Sequence, residues 1–401
     1  MSADGTFAIS RAPRIRLTLA CLLSYFIVAG LISQIGALSG PMAAHFGRPL
    51  TDVAARFSSL SGGIMIGTLL SLVWFEWIGL RRAIVGCYVL GAGALLAIAV
   101  GDSWTLLPLL LLLAGAGCGL GLSAASVTLA LSYSPQRRAT LLLCSDLCFA
   151  IAGIICAPAA AALIARGLPW SSSYLALAGL GACIIVLALI SPYPPSAREA
   201  GQRLLRERWP LAAWLCAAAL FFYLLGQVTM LLWLPQHLQQ HLQLDAVASA
   251  GGIGRYWSGM AIGQITLIAL LQRIDFRRLL PLIAILSAAA SFALWHSAGT
   301  RSLLLATTLL GITNGGLLKL TLSHATTLVR HPQRIVTLVL SAGSLGQALS
   351  PYISATLVRH FDTTAALQLV SACYALMAIC VVVASRPRTA LPAASAVSDA
   401  V

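Results

Sequence analysis

The chain has 401 residues, of which 59% are hydrophobic and only 9% charged, and its formal net charge is +14 at pH 7. A soluble protein carries about 25% charged residues. This composition therefore excludes a soluble globular protein and, with a mean hydropathy of +0.91, predicts a protein embedded in a membrane. The basic residues stand in small groups between apolar stretches rather than along one continuous face, which argues against nucleic-acid binding.

The apolar stretches are long enough to cross a bilayer, which takes about 20 residues. In chain order, the first half contains 17–40, 53–75, 83–100, 104–131, 139–164 and 171–191. The second half contains 211–235, 247–271, 279–297, 302–328, 335–358 and 364–385. The prediction is an all-α integral membrane protein with 12 transmembrane helices.

The polar stretches divide the chain further. Residues 1–16 are expected to form an N-terminal tail, and residues 386–401 a disordered C-terminal tail. Between the halves, 192–210 contains prolines and a run of charges, and it predicts a solvated linker. The two bundles are accordingly assigned to 17–191 and 211–385.

An internal repeat relates the two halves. The segment from Gly30 to Arg82 resembles the segment from Gly226 to Arg278 at a constant offset of 196 residues. Within it, the glycines at 63 and 67 correspond to those at 259 and 263. Parallel halves of this size in so apolar a chain are typical of a two-lobed membrane transporter, here two pseudo-symmetric six-helix bundles.

The distribution of arginines predicts the orientation. With the N-terminus inside, eighteen arginines fall in cytoplasmic segments and five (Arg48, Arg56, Arg166, Arg301 and Arg359) fall outside. Positively charged loops remain in the cytoplasm, so both tails and the linker are expected there. The predicted location is a bacterial inner membrane, crossed many times.

The loop between the second and third helices carries a motif. It reads Glu76-Trp77-Ile78-Gly79-Leu80-Arg81-Arg82, and 273–278 is its second-half counterpart. This pattern resembles the loop signature of the major facilitator superfamily (MFS), with Glu in place of Asp and Trp in place of the first Arg. The resemblance implies the MFS fold and a cytoplasmic gate. The gate residues would be Glu76, Arg81, Arg82, Asp275, Arg277 and Arg278.

Further stretches resemble the fucose-permease-like branch of that superfamily and, within it, TsgA-type transporters. These include Ser145-Asp146 with Gly153 and Pro158, and Gly226-Gln227 leading to Pro235. Sugar permeases of that branch carry carboxylates in helices 1 and 4. Neither 17–40 nor 105–131 contains Asp or Glu here, so the resemblance does not extend to proton coupling at those positions.

Three charged residues lie deep inside predicted spans: Asp146, Arg255 and Lys319. Each costs at least about 2.5–3.5 kcal/mol in a lipid-exposed helix centre, so such groups are expected to face a cavity or one another. Asp146 is a candidate proton acceptor, and Lys319, the only lysine, a candidate counter-ion or anion anchor. Arg255, beside Tyr256 and Trp257, is a candidate ligand for an anion or for hydroxyls. The alternative for all three is structural pairing or, for Arg255, snorkelling.

Neutral polar residues add further candidates for the cavity. Gln34, Gln227 and Asn314 lie within spans, and Trp257 lies two residues after Arg255. Hydrogen bonding between helices is the alternative role for the three amides.

The function predicted from these features is secondary active transport of a small polar solute, sugar-like or an organic anion, with protons as the candidate coupling ion. The alternatives are a drug or metabolite efflux antiporter and, more distantly, a non-transporting membrane sensor or scaffold. An enzyme is not expected, because no catalytic cluster is visible. No cofactor, metal or nucleic-acid partner is expected either. The partners are the small-molecule substrate and the lipid bilayer, and the expected oligomeric state is a monomer.

Overall fold

The computed structural model describes residues 11–133, 135–193, 209–297, 299–328 and 332–386. Regular structure in these ranges is entirely helical, which confirms the all-α prediction. The first half contains α1 (Arg11–Ser33), α2 (Ile35–Phe46), α3 (Leu50–Ile78), α4 (Leu80–Val100), α5 (Leu107–Ser132), α6 (Pro135–Ala165) and α7 (Ser172–Leu189). The second half contains α8 (Leu211–Leu242), α9 (Ala246–Leu271), α10 (Phe276–His296), α11 (Thr300–Asn314), α12 (Leu317–Thr327), α13 (Pro332–His360) and α14 (Thr363–Ala384). Most of the predicted linker and tails lies outside the described residues.

Ten segments of the described chain are long and apolar enough to cross a membrane. They include the whole of α8 and a single stretch, Thr300–Thr327, that combines α11 and α12. Large side chains such as Ile15, Leu211 and Ile265 are exposed along the outer surface of the helices. These features are those of a polytopic membrane protein, whose lipid-facing surface is as apolar as its core.

Two of the predicted spans are interrupted. The first is divided at Gln34, between α1 and α2, although the backbone hydrogen bonds from Gln34 to Gly30 and from Leu38 to Gln34 are kept. The other is divided at Gly315–Gly316, between α11 and α12. Gly316 lies against Leu267, and a Cβ at this position would overlap that side chain. Glycine therefore permits the close packing at this break.

The sequence repeat is also a repeat of packing. Within the first half, α1 packs on α6 and α7, α3 on α5, and α4 on α5 and α7. The second half repeats each pairing with α8, α9, α10, α11, α13 and α14 in the corresponding roles.

The close approaches of the helices recur at the same offset. Gly63 on α3 lies against the carbonyl oxygen of Leu112 on α5, and 196 residues later Gly259 on α9 lies against that of Thr308 on α11. A Cβ at either glycine would overlap the carbonyl oxygen.

The most extensive contacts between the two halves are those of α3 with α13, α6 with α9, and α2 with α8. We call the end that holds the turns at 47–49, 166–171 and 361–362 the distal end, and the opposite one, where α1 begins and α14 ends, the terminal end. At the distal end Arg359 forms an ion pair with Asp52 across the halves. In the distal half of the helices, the Gln236 amide also donates to the Gly36 carbonyl at 3.0 Å. The halves are therefore held together at the distal end.

Candidate functional site

A cavity of about 150 Å³ lies between the two halves. Five of the residues predicted from sequence line it: Asp146, Gln227, Trp257, Asn314 and Lys319. Other residues that line it include Phe149, Tyr223, Met260, Gln264, Gly315 and Gly316. The first half contributes only α6, and the remaining wall comes from α8, α9 and the break between α11 and α12. The structure thus brings most of the predicted site residues together.

The carboxylate of Asp146 and the ammonium of Lys319 form an ion pair inside this cavity. Asp146 is on α6 and Lys319 is in the first turn of α12, so the pair joins the two halves. The side chains keep exposed fractions of 21% for Asp146 and 49% for Lys319, which means that both still face open space. Opposite charges in contact compensate for much of the cost of placing each charge in a membrane protein. The pair itself is net neutral as a result.

The helix break contributes to this pairing. Lys319 is the third residue of α12, which begins after Gly316, and the first backbone N–H groups of a helix have no acceptor within it. The positive end of the α12 dipole favours a negative charge nearby, and the first turn of α12 is where Lys319 pairs with the Asp146 carboxylate. A continuous helix would lack this feature at the midpoint of the span.

Arg255 lies outside the cavity. Its side chain is exposed, and Ile262 and Thr266, which follow it at seven and eleven residues on α9, are exposed as well. These spacings place the three residues on one face of the helix, and the opposite face packs against α6 and α11. The structure therefore brings Asp146 and Lys319 together and leaves Arg255 outside their cavity. Arg255 has the geometry of an arginine that snorkels from a lipid-facing surface.

Asn314 is committed to a buried network. Its amide nitrogen donates to the Tyr256 hydroxyl at 3.0 Å and to the Tyr374 hydroxyl at 2.6 Å, and its oxygen accepts from Ser287. Both N–H groups are therefore used inside the protein. Asn314 acts as a helix-to-helix connection that holds the end of α11 rather than as a free ligand.

Gln227 belongs to the same network but leaves one group available. Its amide nitrogen donates to the Tyr256 hydroxyl at 2.7 Å and to the Tyr223 hydroxyl at 3.3 Å. Its Oε1 has no partner among the described residues, and it is not sealed off by protein. Gln227 Oε1 is therefore an oriented hydrogen-bond acceptor that faces the cavity. The tyrosines that fix it were missed from the sequence, because their distances along the chain reveal nothing about a shared cluster.

Gln34 does not reach this cavity. It is 1% exposed and sits at the break between α1 and α2, and its amide nitrogen has no hydrogen-bond partner in the described structure. The aromatic wall is formed instead by Trp257, whose ring lies 5.4 Å from that of Phe149 across the interface of the halves. Gly153 on α6 makes room for this indole, since a Cβ there would overlap it.

The predicted gate residues lie near the terminal end. Arg81 donates to the Leu189 carbonyl at the end of α7, and Asp275 caps α10 by accepting from the Arg277 backbone N–H at 3.0 Å. The side chains of Arg82, Arg277 and Arg278 are exposed. The contacts of the Glu76 side chain lie outside the described part of the structure. Where they are described, these side chains make no hydrogen bond or ion pair between the halves.

Comparisons with known proteins agree with this architecture. The family profile described as Major Facilitator Superfamily matches residues 18–255. A TsgA homolog of Erwinia tasmaniensis is 26% identical over 373 residues, which cover 91% of this chain and 93% of the relative. A TsgA homolog of Serratia proteamaculans is 26% identical over 366 residues, 90% of this chain and 93% of the relative.

Solved structures with the same fold are transporters. A crystal structure of the nucleoside transporter NupG superposes with a TM-score of 0.71 at 15% identity, covering 94% of this chain and 100% of that one. A bacterial homolog of the human lysosomal transporter Spinster, in an inward-facing and occupied conformation, superposes with a TM-score of 0.70 at 14% identity, covering 94% of this chain and 96% of that one.

Proposed function

Because the chain belongs to the Major Facilitator Superfamily and is of the TsgA type, we propose that it is a secondary active transporter that moves a small polar solute by alternating access. Membrane transport follows from the family, whereas the substrate, the coupling ion and the site are our proposal. The observation that carries it is the Asp146–Lys319 ion pair, which joins the two halves inside a cavity at a broken helix.

The proposed topology has twelve spans in two bundles, 17–191 and 211–385. In this assignment α1 with α2 forms one span, and α11 with α12 another, as the single apolar stretch Thr300–Thr327 supports. Both termini are placed in the cytoplasm on the basis of the arginine distribution. The protein resides in the bacterial inner membrane, and we propose that it acts there as a monomer.

The contacts between the halves support an inward-facing state. Arg359 and Asp52 hold the halves together at the distal end, which this topology places outside. Gln236 and Gly36 join the halves in the distal half of the helices. The gate residues near the terminal end make no described contact between the halves. We propose that Glu76 and Asp275, with the neighbouring arginines, close that end in the outward-facing state.

The ion pair also suggests how a proton and a solute would be coupled. A proton that binds the Asp146 carboxylate neutralises it and releases the Lys319 ammonium, which leaves the cavity with one positive charge. An anionic group of the solute can then bind Lys319, while the Gln227 oxygen accepts from a donor on the same solute and Trp257 contacts its apolar part. One proton and one anion together keep the cavity neutral, so this arrangement favours a proton-coupled organic anion over a neutral sugar.

Two linked measurements test the proposal. The purified full-length protein is first screened by thermal shift against carboxylates, oxyanions, sugars and nucleosides, the last because NupG is a nucleoside transporter. For the solutes that stabilise it, uptake into proteoliposomes is then measured under an imposed pH gradient. We expect uptake driven by external acid, and we expect Asp146→Asn to lose the pH-driven component. An unchanged pH response in Asp146→Asn contradicts coupling through Asp146, and uptake driven by the opposite gradient indicates the antiporter.

Variants of the basic residues locate the site. We expect Lys319→Ala to lose the thermal shift caused by an anionic solute, while Arg255→Gln, which removes a positive charge outside the cavity, retains it. An equal shift in Lys319→Ala and the wild type would remove Lys319 from the binding site.

A further inference from the structure

A second cavity, of about 510 Å³, lies at the terminal end of the second half. Its wall is formed by the first turns of α8 and α10 and the last turns of α12 and α14. Arg277, His324, Thr327, Ser385 and Arg386 supply its polar side chains. This cavity is separate from the one that contains Asp146 and Lys319, and the proposed proton and solute binding does not use it.

The internal repeat provides a comparison for this site. In the first half, Arg81 donates to the Leu189 carbonyl and so closes the end of α7. The residues 196 positions later are Arg277 and Ser385. There the Arg277 guanidinium makes no hydrogen bond or ion pair within the described ranges and faces the cavity, and the Ser385 hydroxyl is buried without a partner. The contact that fills the position in one half is therefore open in the other.

The charges around the cavity suit an anion. Arg386 adds a second guanidinium, and no carboxylate lines the cavity among the described residues. The carboxylate of Asp275 accepts from the Arg277 backbone instead. The first turn of the long helix α8 also borders the cavity and presents backbone N–H groups. Two arginines beside a helix N-terminus match a phosphate group.

His324 is an independent sign of a built site. It is only 6% exposed, and its Nε2 lies 3.2 Å from the Ala384 carbonyl, which it can reach only as a donor. In the neutral ring its Nδ1 consequently remains an acceptor, buried and unpartnered at the cavity wall. Unpartnered buried polar groups are rare in proteins, and this one marks a side of the cavity wall that lacks a hydrogen-bond donor.

The surroundings of the cavity indicate which kind of phosphate compound would bind there. Beside the cavity, the rings of Trp209 and Trp214 lie 5.7 Å apart, and Trp214 and Leu211 are 53% and 72% exposed. Tryptophans at the start of a spanning helix mark the headgroup level of a bilayer, and basic pockets between helices at this level bind anionic headgroups. We propose that this cavity binds the headgroup of an anionic phospholipid through Arg277 and Arg386.

The test is a binding measurement on the delipidated full-length protein in a neutral detergent. Native mass spectrometry follows the complex with short-chain phosphatidylglycerol, with phosphatidylcholine of the same chain length, and with inorganic phosphate. We expect tight binding of phosphatidylglycerol alone. Arg277→Gln and Arg386→Gln should each weaken it by roughly fivefold. The control Arg278→Gln loses the same charge on an exposed neighbour outside the cavity and should bind as the wild type does.

Three results would overturn the proposal. Equal affinity for phosphatidylcholine would show that the site does not read net negative charge, and saturation by inorganic phosphate alone would identify a free-anion site. Unchanged phosphatidylglycerol binding in the double variant Arg277→Gln/Arg386→Gln would place the lipid elsewhere. The double variant should keep its unfolding midpoint in detergent without lipid, because both side chains are exposed.

Discussion

Asp146 on α6 and Lys319 on α12 form an ion pair that connects the two halves of the chain inside the cavity. Neither residue has a charged counterpart in the other half. At an offset of 197 residues, Asp146 corresponds to Gly343 and Lys319 to Leu122, so the pair breaks the pseudo-symmetry of the repeat. In the proposed alternating-access cycle, a charge pair between the halves contributes to stability in one state and is rearranged in the other. It is therefore suited to coupling.

The first prediction concerns the energy of this pair. Because removing one partner leaves the other charge without its counter-ion, Asp146→Asn and Lys319→Met should each destabilise the protein, and the double variant should lose less than the sum. For residues in contact, a coupling energy on the order of 0.5–3 kcal/mol is expected. The measurement is a double-mutant cycle on the free energy of unfolding in SDS titration. Strict additivity would mean that the two charges do not interact.

The second prediction compares two buried amides. Asn314→Leu should destabilise the protein by about 1–3 kcal/mol, because it leaves the Ser287, Tyr256 and Tyr374 hydroxyls with an unmade hydrogen bond. Gln34→Leu is the matched control. Its amide nitrogen has no partner to lose, so this change should be near neutral. The same unfolding titration measures both variants. An equal loss of unfolding free energy in the two would contradict the assignment of Asn314 to the network.

A third prediction tests the repeated close contacts. Gly63→Ala and Gly259→Ala should each cost about 1–3 kcal/mol, because the added methyl group overlaps a backbone carbonyl of the neighbouring helix. Gly251→Ala, on the same helix as Gly259 but with nothing within 4 Å of the added methyl group, is the control and should be neutral or stabilising. Unfolding midpoints followed by tryptophan fluorescence test this. A stable Gly259→Ala would show that α9 and α11 are farther apart.

The fourth prediction concerns the distal contact of the halves. The Arg359–Asp52 pair is exposed, with 55% and 39% of the two side chains accessible, so its contribution is at most about 1 kcal/mol. Arg359→Gln should raise amide hydrogen exchange at the distal ends of α3 and α13 by up to about fivefold. Exchange in α4 and α7 should not change. In salt at about 1 M the wild type should approach the variant, because salt screens exposed pairs. Equal exchange in the variant and the wild type at low salt would show that the pair does not hold the halves together.

Much of the fold follows from the sequence. The bilayer demands long apolar helices, so the extents of α8 and α14 are largely visible in composition alone. The offset of 196 between Gly63 and Gly259 appears both in the sequence and in the packing, because each glycine is required by a carbonyl approaching from the neighbouring helix. The division at Gln34 has no comparable sign in the sequence. In the structure, the backbone hydrogen bonds continue across it.

The candidate site was only partly visible. Depth along a helix is counted from the sequence, and depth correctly selected Asp146, Lys319 and Arg255 as lying within helices, away from their ends or at a break. The direction in which each points depends on the rotation of its helix, and an almost uniformly apolar helix carries little information about that rotation. The rotation of α9 turns Arg255 outward, although its depth resembles that of Asp146.

The sequence by itself determined that this protein crosses the membrane many times in two related halves, because hydrophobic length and internal repetition are properties of a linear chain. Only the tertiary structure decided that Asp146 pairs with Lys319 and that the Asn314 amide donates its hydrogen bonds to tyrosines. It also decided that Arg81 donates to a helix end, whereas the corresponding Arg277 makes no such bond among the described residues. Such pairings join residues from different helices, and they are set by how the helices rotate and pack against one another.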